Sequence, residues 1–149
     1  MKIGVFTVLF SQRPLEETLD YVKAAGCEAV EIGVGGYPGS AHADAAALVE
    51  DAGKRKQLLE AVTSRGLEIS ALSCHGNPLH PKVEIAEAHD RDYRNAVKLA
   101  QQLGVDTVIT FSGGPGGGPE AQEPNWVTCP WPPDFLETLD WQWRERATP

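Results

Sequence analysis

Two side chains stand where chemistry is possible: Glu31, in Glu28-Ala29-Val30-Glu31-Ile32-Gly33, and His75, in Ser73-Cys74-His75-Gly76-Asn77-Pro78-Leu79-His80-Pro81. Glu31 lies between Val30 and Ile32 at the end of an apolar run, where a carboxylate is costly without a partner. Such a group can hold a hydroxyl, orient a histidine or arginine, or move a proton. A structural carboxylate satisfied by backbone amides or a lysine fits the same pattern. An imidazole directly after a strand can bind a hydroxyl, relay a proton or ligate a metal. His80 shares that loop and reads either as a binding residue or as a histidine bonded to main chain. His42 and His89 lie in polar stretches and read as solvated.

Three further groups are candidates for binding. Phe6 and Ser112 close strand-like runs, and in parallel α/β folds ligands lie beyond the carboxyl ends of the strands. Trp126 and Trp131 flank Cys129-Pro130 in a long Gly/Pro/Trp loop spanning residues 113–131. An indole wall suits the apolar face of a sugar ring, and it equally suits packing the loop onto a scaffold or a neighbouring chain. Trp141 and Trp143 fall in a helix and read as packing residues. The run Gly113-Gly114-Pro115-Gly116-Gly117-Gly118-Pro119 fits neither phosphate-loop pattern, having no following lysine and no helix opening there. It reads as a mobile connection or as backbone N–H groups offered to an anion or sugar.

The elements that must position these residues follow a repeat. Glycines at 26, 66 and 104 each precede an apolar or small residue, an acid, and a strand-like run. The spacing of about 40 residues suits successive supersecondary units. Each glycine follows an amphipathic stretch and is placed to end a helix in left-handed backbone. Leu15, Leu19 and Val22 form the first apolar stripe, with Pro14, Glu16 and Glu17 suited to its first turn. Leu58 with Val62, then Ala96, Leu99, Ala100 and Leu103, form the next two. A fourth helix is expected from Pro132-Pro133-Asp134, with Leu136, Leu139 and Trp143 on one face. The strands expected are 2–7, 29–33, 68–73 and 107–111.

Strand then helix, four times, implies α/β with parallel strands and crossover helices. A complete doubly wound sheet and half of a (β/α)₈ barrel both accept the pattern. The full barrel needs about 250 residues. Strand ends feeding Gly-rich loops favour the half-barrel, a single domain over residues 1–149. The finish at Ala147-Thr148-Pro149, without a glycine cap or following strand, reads as a cut.

Composition bounds the partners. The 149 residues carry a formal net charge of -8, which repels nucleic acid. There is no run of about 18 apolar residues to span a membrane, and the start is too short for a secretory signal, so the cytoplasm is expected. Three cysteines without C-x-x-C spacing read as reduced thiols.

Five segments, in order along the whole chain, carry a resemblance. They are Met1-Lys2-Ile3-Gly4-Val5-Phe6, Cys27-Glu28-Ala29-Val30-Glu31-Ile32-Gly33, the 73–81 histidine segment, Phe111-Ser112-Gly113-Gly114-Pro115-Gly116-Gly117, and Asn125-Trp126-Val127-Thr128-Cys129-Pro130-Trp131-Pro132. They resemble the sugar-phosphate isomerase/epimerase group of the xylose isomerase-like TIM barrels. That resemblance implies a sugar or sugar-phosphate substrate and proton transfer next to a carbonyl. It implies a divalent metal, manganese first, with magnesium, cobalt or zinc as alternatives, held on strands five to eight. Glu31 and His75 carry over as pocket residues, with Ser112 and Trp126 behind them. Because this chain supplies only the first four units, a second half-barrel or a homo-oligomer is the expected partner. A lyase or deglycosidase acting on oxidised sugars, and a non-catalytic association module, remain the alternatives.

Overall fold

A computed structural model describes residues 1–148. Four strands form one parallel sheet: β1 (Gly4–Phe6), β2 (Ala29–Gly33), β3 (Glu68–Ser73) and β4 (Val108–Ile109). Their spatial order is β1-β2-β3-β4, the order of the chain. This decides between the two architectures. A doubly wound sheet reverses its order at a switch point, whereas right-handed crossovers that advance in one direction put every helix on one face, as in a barrel. The fold is a partial (β/α) barrel.

The two sheet faces differ accordingly. Val30, Ile32 and Leu72 have no exposed surface and form one core with Leu19, Val22, Leu58, Val62, Ala96 and Leu99. These come from α1 (Leu15–Ala24), α3 (Ala52–Thr63) and α4 (Val83–Leu103), and they are the stripes expected from spacing. Side chains alternate along a strand, so the opposite face carries Gly4, Phe6, Ala29, Glu31 and Glu68, in register across β1 to β3. Ser70 is the extra residue where the β2–β3 register shifts. On this face Lys2 pairs with Glu68, and both remain about half exposed.

The glycine repeat is a repeated helix ending. Gly26, Gly66 and Gly104 have φ of 87°, 65° and 69°. The next residue in each case, Cys27, Leu67 or Val105, donates its N–H to the carbonyl five residues back, on Val22, Val62 or Ala100. This bond satisfies an orphan carbonyl and lays one apolar residue against another, so each turn joins the core as it reverses the chain.

Two strands are shorter than expected. After Phe6 the chain winds into a short 3-10 turn, Thr7–Phe10, and β4 is only two residues long. The helix α2 (Ala45–Glu50) has no counterpart among the expected elements. Its signal is Asp44, whose carboxylate accepts the Ala47 N–H at 3.1 Å, and Asp51 repeats the device on Lys54 at 3.0 Å to open α3. The fourth helix, α5 (Asp134–Gln142), forms as expected and runs into a π turn, Trp143–Ala147.

The chain divides into two compact units. The first, Met1–His75 with Arg91–Thr110, contains the sheet; the second comprises Gly76–Asp90 and the chain from Phe111 onward. Between β4 and α5 there is neither helix nor strand. Among the described residues, no helix is long and apolar enough to cross a membrane.

Candidate functional site

In the first unit the strand ends bring Phe6, Glu31, Ser73 and His75 together. Register places Phe6 beside Glu31 and Gly33 beside Ser73. The fully buried Ser73 hydroxyl donates a hydrogen bond to the half-buried Glu31 carboxylate. This is the partner that the apolar flanks of Glu31 demanded. The His75 ring meets the Phe6 ring edge to face, with centroids 6.2 Å apart and planes at 77°. A shallow pocket of about 280 Å³ opens on this face, bounded by Phe6, Glu31, Lys2 and Glu68. Hydrogen bonding to Glu68, with its negative charge, raises the Lys2 ammonium above its ordinary pKa.

His75 is placed by its backbone. Its carbonyl accepts the Tyr37 N–H at 2.7 Å, which draws the loop after β2 against the end of β3. Gly36 permits the approach: it has φ of 63°, and a methyl there would lie 2.1 Å from the His75 carbonyl oxygen. Glycine is required twice over, by conformation and by space. The neighbouring Cys74 points into the core. Burial, aided by the negative charge of Asp92, pushes its thiol up to about 11, so it is a packing group rather than a nucleophile. Cys27 is also buried and free, whereas Cys129 is exposed.

In the second unit Ser112, Trp126 and Trp143 line a pocket of about 380 Å³ with Leu79, Leu139 and Gln142, and no charged side chain takes part. Trp143 was expected to pack; it is 56% exposed and helps to wall this pocket instead. His80 is buried, and its Nδ1 accepts the Lys82 N–H at 3.0 Å. Trp131 is 74% exposed and outside that lining, and its carbonyl accepts the Cys129 thiol at 3.0 Å. Thus Phe6, Glu31 and His75 belong to the first unit, and His80, Ser112, Trp126 and Trp131 to the second.

Two histidines depart from the sequence expectation. His42 and His89 are half-buried rather than solvated. A ring nitrogen of His42 lies 2.9 Å from the Arg13 carbonyl, and His89 Nδ1 accepts the Asn77 N–H at 2.9 Å. His42 lies in the loop before α2 and His89 in α4, and each ring turns back to bond the main chain of another loop. Ser73, Gly36 and Asn77 were not singled out from sequence. Ser73 and Asn77 lie within the 73–81 segment and Gly36 within the glycine-rich stretch Gly33-Val34-Gly35-Gly36, but nothing in the sequence assigned them partners.

Among the described residues no group of three His, Cys, Asp or Glu side chains could hold a metal ion. The described residues therefore offer no ligand set of their own for the divalent ion that the resemblance implies.

The pattern of the xylose isomerase-like TIM barrel family matches residues 19–142. YfiH of Bacillus subtilis (strain 168), an uncharacterized protein, is 34% identical over 151 residues, a match covering 100% of this chain and 48% of that one. The chain thus spans about half the length of the curated relative it matches. Protein SMc04130 from Sinorhizobium meliloti 1021 superposes with a TM-score of 0.50 at 22% identity, covering 80% of this chain and 39% of its own. D-psicose 3-epimerase, crystallised in the presence of D-fructose, does so with a TM-score of 0.50 at 11% identity, covering 95% and 46% respectively. At these identities both likenesses concern the fold alone.

Proposed function

Because this chain belongs to the xylose isomerase-like TIM barrel family, we propose that it forms one wall of a sugar pocket in which a proton is moved next to a carbonyl, as in an isomerase or epimerase. The observation that carries this reading is the cluster of Phe6, Glu31, Ser73 and His75 where the strands of the first unit end, on the sheet face opposite that unit's core. A carboxylate held in place by a hydroxyl can accept a proton or a further hydrogen bond from a substrate hydroxyl. The imidazole beside Phe6 can donate to or accept from a second hydroxyl. Ser112 and Trp126 serve as binding groups of the second unit, whose uncharged pocket suits hydroxyls and an apolar ring face better than a phosphate.

The chain supplies four strands, and about half the length of its relatives lies beyond its match. In this reading a second half-barrel or a second copy completes the wall and brings any side chains that hold a divalent ion. The test is titration of the full chain with D-fructose, with and without manganese, followed by NMR. Millimolar binding is expected that perturbs residues near Glu31 and His75 and weakens about tenfold in Glu31→Gln, equivalent to about 1.4 kcal/mol. Absence of any perturbation at high millimolar sugar, with the fold intact, would overturn the reading.

A further inference from the structure

We propose that Asn77 is a positioning residue for Trp126, and that Gly113 and Gly114 are glycines so as to admit the Asn77 amide on one side and the Trp126 indole on the other. This rests on the reading of Trp126 as a sugar-facing wall. The Asn77 side chain is 3% exposed and pairs with both polar groups of one residue: Nδ2 donates to the Gly114 carbonyl at 2.9 Å, and Oδ1 accepts the Gly114 N–H at 3.0 Å. Oδ1 also accepts the Leu79 N–H at 3.1 Å. A two-point clamp fixes the peptide planes on either side of Gly114, which a single bond would leave free to rotate. The clamp is itself anchored, since the Asn77 N–H donates to His89 Nδ1 and its carbonyl accepts the His80 N–H at 3.2 Å.

Gly114 transmits that placement. A methyl on it would lie 2.8 to 3.0 Å from Cη2, Cζ2 and Cε2 of Trp126, so the indole rests directly on the Gly114 backbone. Gly113 is required for the other partner: its φ is 89°, and a methyl there would lie 2.6 Å from Asn77 Oδ1. The backbone before the indole is held as well. The Asn125 N–H donates to the Pro115 carbonyl at 2.8 Å, and the Gln142 amide donates to the carbonyls of Asn125 and Gly116 at 2.8 and 3.0 Å. Gly113 and Gly114 together therefore make a seat for the indole, with Asn77 setting its orientation.

The experiment uses the full chain labelled with 5-fluorotryptophan, whose four fluorine resonances are assigned by single Trp→Phe variants. In Asn77→Ala the Trp126 resonance should shift or broaden while those of Trp131 and Trp141 stay in place. The displacement of the Trp126 resonance by D-fructose should need about tenfold more sugar, a loss of about 1.4 kcal/mol of binding free energy. If Asn77→Ala does not fold, Asn77→Asp decides, because it keeps the accepting oxygen and loses the donor to Gly114; the same confined change is expected. An unmoved Trp126 resonance in the folded variant overturns the proposal. A wild-type Trp126 resonance indifferent to D-fructose, but displaced in the variant, overturns the sugar reading while the positioning role stands.

Discussion

The chemistry of single residues here is set by what lies one side chain away. Glu31 and Cys74 are both strand-end residues among apolar neighbours, yet one meets the Ser73 hydroxyl and the other the core. The difference gives a pH prediction. The folded Cys74 thiol is raised from 9.0 to about 11 by burial and by Asp92. Between those values the native state keeps a proton that the unfolded chain releases, so stability is unaffected below about pH 9 and falls as pH rises toward 11. Urea midpoints measured across that range should decline less in Cys74→Ala than in the wild type, after allowance for the smaller core group. Equal declines would show that the thiol does not carry the effect. At neutral pH only Cys129 should react quickly with a thiol reagent.

At the scale of elements, stability and exposure separate cleanly. Helix α4 buries Ala96, Leu99, Ala100 and Leu103 against the sheet, whereas α5 leaves Phe135 and Leu136 at 41% and 49% exposure. Leu99→Ala should cost about 2–5 kcal/mol, because it opens a cavity in close-packed surroundings. Leu136→Ala should stay within about 0.5 kcal/mol, as substitutions of exposed groups generally do. Chemical denaturation of both variants checks this, and a comparable loss at Leu136 would mean that α5 is covered in solution. The same contrast explains which elements could be read in advance. Strands β2 and β3 coincide with the residues expected because burial on the helix face makes their pattern strong. The helix α2 was missed because it is six residues long and rests on a single capping aspartate.

At the scale of the whole molecule, β1 and β4 each have an edge that no described strand pairs with, and Lys2, Glu31 and Glu68 lie on the sheet face opposite the core helices of the first unit. Unpaired strand edges template further pairing. The net charge of -8 opposes close approach of copies. Association should therefore strengthen with added salt, which screens that repulsion. Sedimentation equilibrium at rising protein and salt concentration should show the mean mass climbing above that of one chain. A constant single-chain mass under all conditions would count against an incomplete wall.

The sequence by itself determined the α/β class, the three helix endings at glycine, the apolar stripes and most strand positions. Each of these depends on local period or on left-handed backbone, which neighbouring residues specify. It also marked Glu31 and His75, because a charge in an apolar run and an imidazole at a strand end are visible in one dimension. The strand order, a relation between segments about 40 residues apart, came only from the tertiary structure, and it bore out the partial barrel that the strand-end loops and the resemblance favoured over a doubly wound sheet. The tertiary structure alone supplied Ser73 for Glu31, set Gly36 beneath the His75 carbonyl, and laid Trp126 against Gly114. Those pairings join residues distant in the chain, and no local preference encodes a partner that far away.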